Sequence, residues 1–228
     1  GAKGAYDMFY EDPSKHGLAY NPFKALVSPR PIAWVSTQDV NGVLNLAPYS
    51  FFNAMAEFPP TVVFAPNNPR MGGGRKDTLA NIEQTNQFVI NLCSYDLREQ
   101  MNTSSAHVGP EVDEFALSGV TPAPSTNVKP PRVKEALAAL ECEFMFRVRL
   151  PSTNPKVENN AVFGRVVGVH IDDSIIENGK VRMDLYKPLA RLGYMDYTFV
   201  ENVFAMDRPD QDLDSYDHTA KKKRDAAE

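Results

Sequence analysis

An Asn41-Gly42 dipeptide between two apolar runs constrains this chain more than any other feature. PIAWVST, Pro31 to Thr37, is rich in β-branched and aromatic residues with period-two alternation, and LNLAPYSFF, Leu44 to Phe52, reads as its return. Asn-Gly tolerates positive φ at both central positions of a type I′ turn, so Arg30 to Asn53 is expected to form a β-hairpin. With Asn41 and Gly42 as the central pair, Gln38 lies opposite Asn45, Thr37 opposite Leu46 and Ser36 opposite Ala47. The hairpin then ends in a polar cluster of Ser36, Thr37 and Asn45. Pro48 has no N–H, which requires an edge strand or a bulge there, and backbone groups freed by a bulge can face a ligand. An ordinary barrel hairpin whose Ser and Thr decorate its open end fits the same residues.

The remaining segments supply partners for that hairpin. At 228 residues the chain supports one large domain with a substantial core. Residues 1–29 form an aromatic arm with Tyr6, Phe9, Tyr10, Tyr20 and Phe23, expected to pack on the domain. Pro59-Pro60 breaks the chain before TVVFAP, a short strand, and Gly72, Gly73 and Gly74 make a loop free to take positive φ. Asp77 is placed to cap a helix from Thr78 to about Asn86, with Leu79 and Ile82 as its apolar stripe. Arg75, Lys76 and Thr78 therefore gather at a helix N-terminus, where unpaired N–H groups, the dipole and two cations suit a phosphate. A plain loop-to-helix join with solvated basic residues is the alternative.

Gln87 to Ser94 reads as a buried strand, and a helix is expected from Asp96. Residues 106–132 read as a long Pro-rich connection; His107 within it is a ligand, a base or simply solvated. CEFMFRVRL, Cys142 to Leu150, alternates as a strand. Asn160 to Asp173 is a second long strand, with Gly164 and Gly168 marking bends or bulges. Asn178-Gly179 is another hairpin turn, Tyr186 to Tyr197 an aromatic loop, and 206–228 a polar tail. Six to eight strands with two or three inserted helices that do not alternate regularly favour a closed antiparallel barrel over a parallel sheet.

Several classes are disfavoured. A net charge of −5 and a pI near 5.5 argue against a nucleic-acid footprint. No apolar run approaches the roughly 20 residues of a membrane helix, and no signal-peptide pattern opens the sequence, so a cytoplasmic location is expected. Cys93 and Cys142 lie in separate apolar runs without a CxxC spacing, which fits two buried free thiols. No dinucleotide-binding GxGxxG, zinc motif or GxSxG elbow is present.

RPIAWVST, NGVLNLAPYSFFN, PPTVVFAP, RKDTLANI with TNQFVINL, and YKPLARLGYMDY stand in one order from about Ser28 to Tyr197. Together they resemble the flavin reductase-like family, its flavoredoxin-type branch most closely. The resemblance implies a mainly β fold, an FMN-binding split β-barrel (antiparallel, Greek-key-like) with a few inserted helices, spanning residues 30–205. It implies a homodimer with flavin near the interface, and hydride taken from NADH or NADPH for an electron acceptor that remains to be named. The family's flavin-cradling positions fall on Ser36, Thr37, Asn45, Ala47, Tyr49, Ser50, Phe51 and Asn53. Its phosphate-side positions fall on Lys76, Asp77 and Thr78, and its nicotinamide- or substrate-side loop on Arg191, Gly193 and Tyr194.

The residues themselves add Trp34 to the aromatic wall and Arg75 to the cations. One basic helix start suits a single phosphate, hence FMN rather than FAD. The flavin carries the hydride chemistry, so no side-chain catalyst is named. Ala190-Arg191-Leu192 stands where many flavin reductases have a histidine, and an electron carrier or flavin store is the alternative reading.

Overall fold

Every residue from Ile32 to Thr37 is buried, so the first hairpin strand packs on both faces rather than one. The computed structural model describes residues 8–67, 77–109 and 111–206. Helix α1 (Phe23–Leu26) precedes β1 (Arg30–Pro31), β2 (Ala33–Gln38), β3 (Leu44–Tyr49), β4 (Phe52–Glu57) and β5 (Pro60–Phe64). Helix α2 (Asp77–Thr85) leads into β6 (Gln87–Leu92), and a 3₁₀ turn at Tyr95–Leu97 opens α3 (Arg98–Ser104). Then come α4 (Glu114–Ser118), β7 (Pro122–Ala123), β8 (Arg132–Val133) and the long pair β9 (Ala138–Leu150) and β10 (Asn159–Ile171). The chain continues through β11 (Ile176–Glu177), β12 (Lys180–Val181), α5 (Met183–Tyr186), β13 (Leu189–Arg191) and β14 (Tyr197–Phe199).

The main sheet has seven antiparallel strands in the order β3-β2-β6-β9-β10-β5-β4. Ala33, Val35 and Tyr49 turn one face inward on Phe64, Leu79, Ile82 and Phe88. Ile32, Trp34 and Leu46 turn the other onto Leu97, Met101 and Phe115 from the helical layer. A small sheet, β1-β13-β14, ties the late block to the chain just ahead of the hairpin. No helix among the described residues is long and apolar enough to cross a membrane.

The hairpin forms, but one residue out of the expected register. Thr37 faces Asn45, Ser36 faces Leu46 and Gln38 faces Leu44. The cause is Asp39. Its carboxylate accepts the N–H groups of Asn41 and Val43, both at 2.8 Å, and its carbonyl accepts the Gly42 N–H. This Asx turn lengthens the loop to Asp39–Val43, with Gly42 at φ 85°. Because facing residues share a side of the sheet, the slip moves Asn45 from the side of Ser36 to the side of Thr37. The return strand also stops at Tyr49 and resumes at Phe52, where expectation had one strand. The Phe51 carbonyl instead accepts from Ala65 N–H at 2.9 Å and turns the corner.

Gly164 and Gly168 do mark bulges, at register shifts between Phe163/Gly164 and Val166/Gly168. A Cβ on Gly164 would lie 2.4 Å from Phe88 Cζ. Asn178 and Gly179, at φ 51° and 73°, make the second turn as expected. The 106–132 stretch is not a bare connection: it holds α4 and the β7–β8 pair. Its end is pinned by the buried Glu141 carboxylate, which accepts Thr126, Asn127 and Val128 N–H at 2.7–3.1 Å. Against the desolvation of burial, those donors and the His170 ring, 2.8 Å from Oε2, hold that carboxyl below its ordinary pKa. The 186–197 segment is not a plain loop either, since it supplies β13. Cys93 and Cys142 are both buried and free.

Candidate functional site

Strand β3 separates two polar places. On its inner side Thr78 Oγ1 accepts from Asn45 Nδ2 at 2.8 Å and from Tyr49 Oη at 2.7 Å. Asn81 Nδ2 donates to Thr37 Oγ1 at 3.0 Å. All five side chains are buried, and burial raises the Tyr49 phenol well above its ordinary range. Helix α2 supplies Thr78, Asn81, Leu79 and Ile82 from one face, so the apolar stripe and the polar pairs dock together.

Other expected site residues have different surroundings. Trp34 Nε1–H donates to Ser104 Oγ at 2.9 Å, and Ser36 Oγ donates to the Pro131 carbonyl at 2.5 Å while accepting from Asn91 Nδ2 at 3.1 Å. Both are completely buried toward the helical layer. Ala47 packs against the inner core, and Asn53 is exposed on β4, its Oδ1 accepting the Ala54 N–H. Asp77 opens α2; Arg75 and Lys76 lie outside the described residues.

The edge of β3 is open. Its pairing with β2 is unbroken, so Pro48 needs no bulge and β3 is an edge strand. Leu46 N–H points outward to Glu114 Oε2 at 3.3 Å, and Pro48, two residues on, shares that outer edge. Glu114 is buried among too few donors: desolvation, with repulsion from Asp77 and Asp113, pushes its carboxyl up to about 7.

Beyond Pro48 the corner at Ser50 and Phe51 opens on a cleft of about 300 Å³. Tyr49, Ser50, Phe51, Arg191 and Tyr194 from the expected set line it, while Gly193 is buried against Ala25 behind it. The structure thus brings the hairpin corner and the late block together across the β1–β13 pairing, in which Arg30 faces Arg191. Arg30 is a residue that sequence reasoning missed. It is only 7% exposed; its Nη1 donates to the Lys24 and Val27 carbonyls and its Nη2 to the Leu192 carbonyl at 3.1 Å. Its Nε is buried without a hydrogen-bond partner, and the guanidinium lies 5.6 Å from the Phe51 ring centre. Burial and Arg191 both lower its pKa. Arg191 stacks at 4.3 Å on Tyr197 and donates to the Tyr194 carbonyl at 2.5 Å. Lys24 completes a lining with three cations and, among the described residues, no carboxylate. Such a cleft can take a planar ring against its aromatic walls and an anion against its cations.

A family model described as flavin reductase like domain matches residues 26–200. The chain belongs to the flavin reductase-like family. A protein of Aquifex aeolicus (strain VF5) is 38% identical to this family member over 175 residues, 76% of this chain and 86% of that one. Nitrilotriacetate monooxygenase component B from Bacillus cereus superposes with a TM-score of 0.79 at 30% identity, covering 89% of this chain and all of that one. A chain from Shewanella frigidimarina NCIMB 400, described as having a split barrel domain, superposes with a TM-score of 0.71 at 22% identity, covering 82% of this chain and 89% of that one. The seven-stranded antiparallel sheet of this flavin reductase-like chain is therefore a split barrel.

Proposed function

We propose that this chain binds FMN and acts as an oxidoreductase that takes hydride from NADH or NADPH and passes the electrons to a further acceptor. The observation that carries the reading is the cleft, where the hairpin corner Tyr49–Phe51 meets the late block Arg191–Tyr194. A flavin needs an apolar or aromatic wall, polar groups along one ring edge and cations for its negative charge. Ile32, Phe51 and Tyr194 offer the wall, Ser50, Asn67 and Asn102 the polar groups, and Lys24, Arg30 and Arg191 the cations. The start of α2 at Asp77, with Arg75 and Lys76 just ahead of it in sequence, is where we expect the phosphate end. When bound, FMN supplies the hydride-accepting chemistry. The chain's own residues hold and orient it.

Exposed Phe9, Phe23, Leu26 and Phe204 support a second copy covering part of this surface. Light scattering is expected to give about twice the chain mass of 25.4 kDa. Extraction of the purified protein should release FMN, and recovery of FAD alone would refute the single-phosphate reading. Anaerobic NADH or NADPH should bleach the flavin bands. A second reading, an electron carrier without a productive nicotinamide site, is favoured by the absence of histidine from the described cleft lining. It predicts bound flavin that dithionite bleaches and neither nucleotide does.

A further inference from the structure

Arg30 is held in a way that leaves its charge without an opposite. Nη1 donates to the Lys24 and Val27 carbonyls and Nη2 to the Leu192 carbonyl, while Nε is buried with no hydrogen-bond partner. These bonds tie α1 and the late block to β1, and they occupy the fork that a phosphoryl group would grip. Arg191 faces Arg30 across the β1–β13 pair, and Lys24 lines the same cleft. None of the described lining residues is a carboxylate. Arg30 is so little exposed that water screens it poorly, and its field reaches into the cleft. Such a guanidinium is costly to bury until a negative charge comes within range. A phosphate carries its charge whether a flavin is oxidised or reduced. The ring does not. A hydride is two electrons and one proton, so a neutral ring that takes one from NADH or NADPH gains one negative charge, and the nicotinamide leaves with one positive charge.

We infer that Arg30, Arg191 and Lys24 set the redox preference of the bound flavin, their joint field favouring the reduced ring over the oxidised one. This rests on the reading of the chain as an FMN protein and says which form of the cofactor the cleft prefers. Preorganised cations favour whichever state carries more negative charge, and they raise its share without any new contact. Arg30 acts here as a fixed charge at the hairpin corner, its guanidinium 5.6 Å from the Phe51 ring centre. Arg191, stacked on Tyr197, is the more accessible member of the pair. The negative charge also relieves the repulsion between the two guanidiniums, which the oxidised state leaves in place.

Redox titration of the FMN-loaded protein against indicator dyes, followed in the flavin bands, reads this directly. Arg191→Gln should weaken the binding of reduced FMN about tenfold and leave that of oxidised FMN within about twofold. A tenfold difference between the two forms lowers the midpoint by about 30 mV for a two-electron couple. Arg191→Lys keeps the charge and should keep the wild-type midpoint. Riboflavin, which lacks the phosphate, should show the same drop in Arg191→Gln. An unchanged midpoint in Arg191→Gln overturns the inference, and so does equal weakening of both forms, since the cations would then hold the cofactor in either state. A drop seen with FMN but not with riboflavin also overturns it and assigns the cations to the phosphate. Arg191→Lys behaving like Arg191→Gln does the same, because contact geometry rather than charge would be acting. A wild-type protein that takes up no oxidised FMN sinks the flavoprotein reading itself, and this inference with it.

Discussion

The two sides of β3 spend polar groups in opposite ways. On the inner side Asn45 and Tyr49 bond to Thr78, and Asn81 bonds to Thr37, at 2.7–3.0 Å, all five side chains buried. On the outer side Arg30 and Arg191 meet in a cleft whose only other described charge is a third cation. A closed network converts buried polarity into a specified structure. An uncompensated charge cluster has no such use and points to a ligand. Both regions contain residues that sequence motifs assign to flavin, so the comparison separates what docks α2 from what faces the opening.

Breaking the inner network should have the largest effect. Thr78→Val keeps the shape and removes the acceptor shared by Asn45 and Tyr49, leaving the buried Asn45 amide without it and taking one bond from Tyr49. The orphaned amide costs about 1–3 kcal/mol and the lost Tyr49 bond about 1 kcal/mol, so urea unfolding should register a loss of about 2–4 kcal/mol. A loss below about 1 kcal/mol would mean that water or a neighbour replaces Thr78, and the inner side would not be closed.

This division was only half legible in the sequence. Short-range chemistry was readable: Asn178-Gly179 made its turn, Gly164 and Gly168 their bulges, and Leu79 with Ile82 the buried stripe of α2. The hairpin was readable but its register was not, because the Asp39 carboxylate competes with Asn41-Gly42 for control of the loop. That slip decides which polar residues meet. Arg30 escaped notice because its setting is made by a strand 160 residues later, and Leu192, its third carbonyl partner, lies 162 residues away. The one local hint was a charged residue between two prolines at the mouth of a buried run, Pro29-Arg30-Pro31.

Glu114 lies on the boundary and sharpens the contrast by pH. Its carboxyl, raised to about 7 by burial and by Asp77 and Asp113, holds a proton in the folded protein that the unfolded chain releases near its ordinary value of 4.5. The folded state therefore binds more protons between these values, and stability from this group falls as pH rises from about 4.5 to 7. The slope is at most about 1.36 kcal/mol per pH unit. Glu114→Gln should flatten that part of the profile and be the more stable protein at pH 8. A variant that keeps the wild-type slope would assign the titration to another group.

The smallest effect on stability is expected in the cleft, at Arg191. Its guanidinium makes one bond to the Tyr194 carbonyl and stacks on Tyr197. Stacking at an accessible site is worth about 0.5–1 kcal/mol. Against this stands repulsion from Arg30, directly opposite in the β1–β13 pair and lowered in pKa partly on that account. Arg191→Gln gives up the first and relieves the second, so the unfolding free energy should move by less than about 0.5 kcal/mol. Salt exposes the cancellation. Added chloride screens like-charge repulsion, so the wild-type protein should gain stability relative to the variant between low and physiological ionic strength. If Arg191→Gln instead destabilises by as much as Thr78→Val, the cleft is a structural network like the one on the inner side, and its cations need no ligand to explain them.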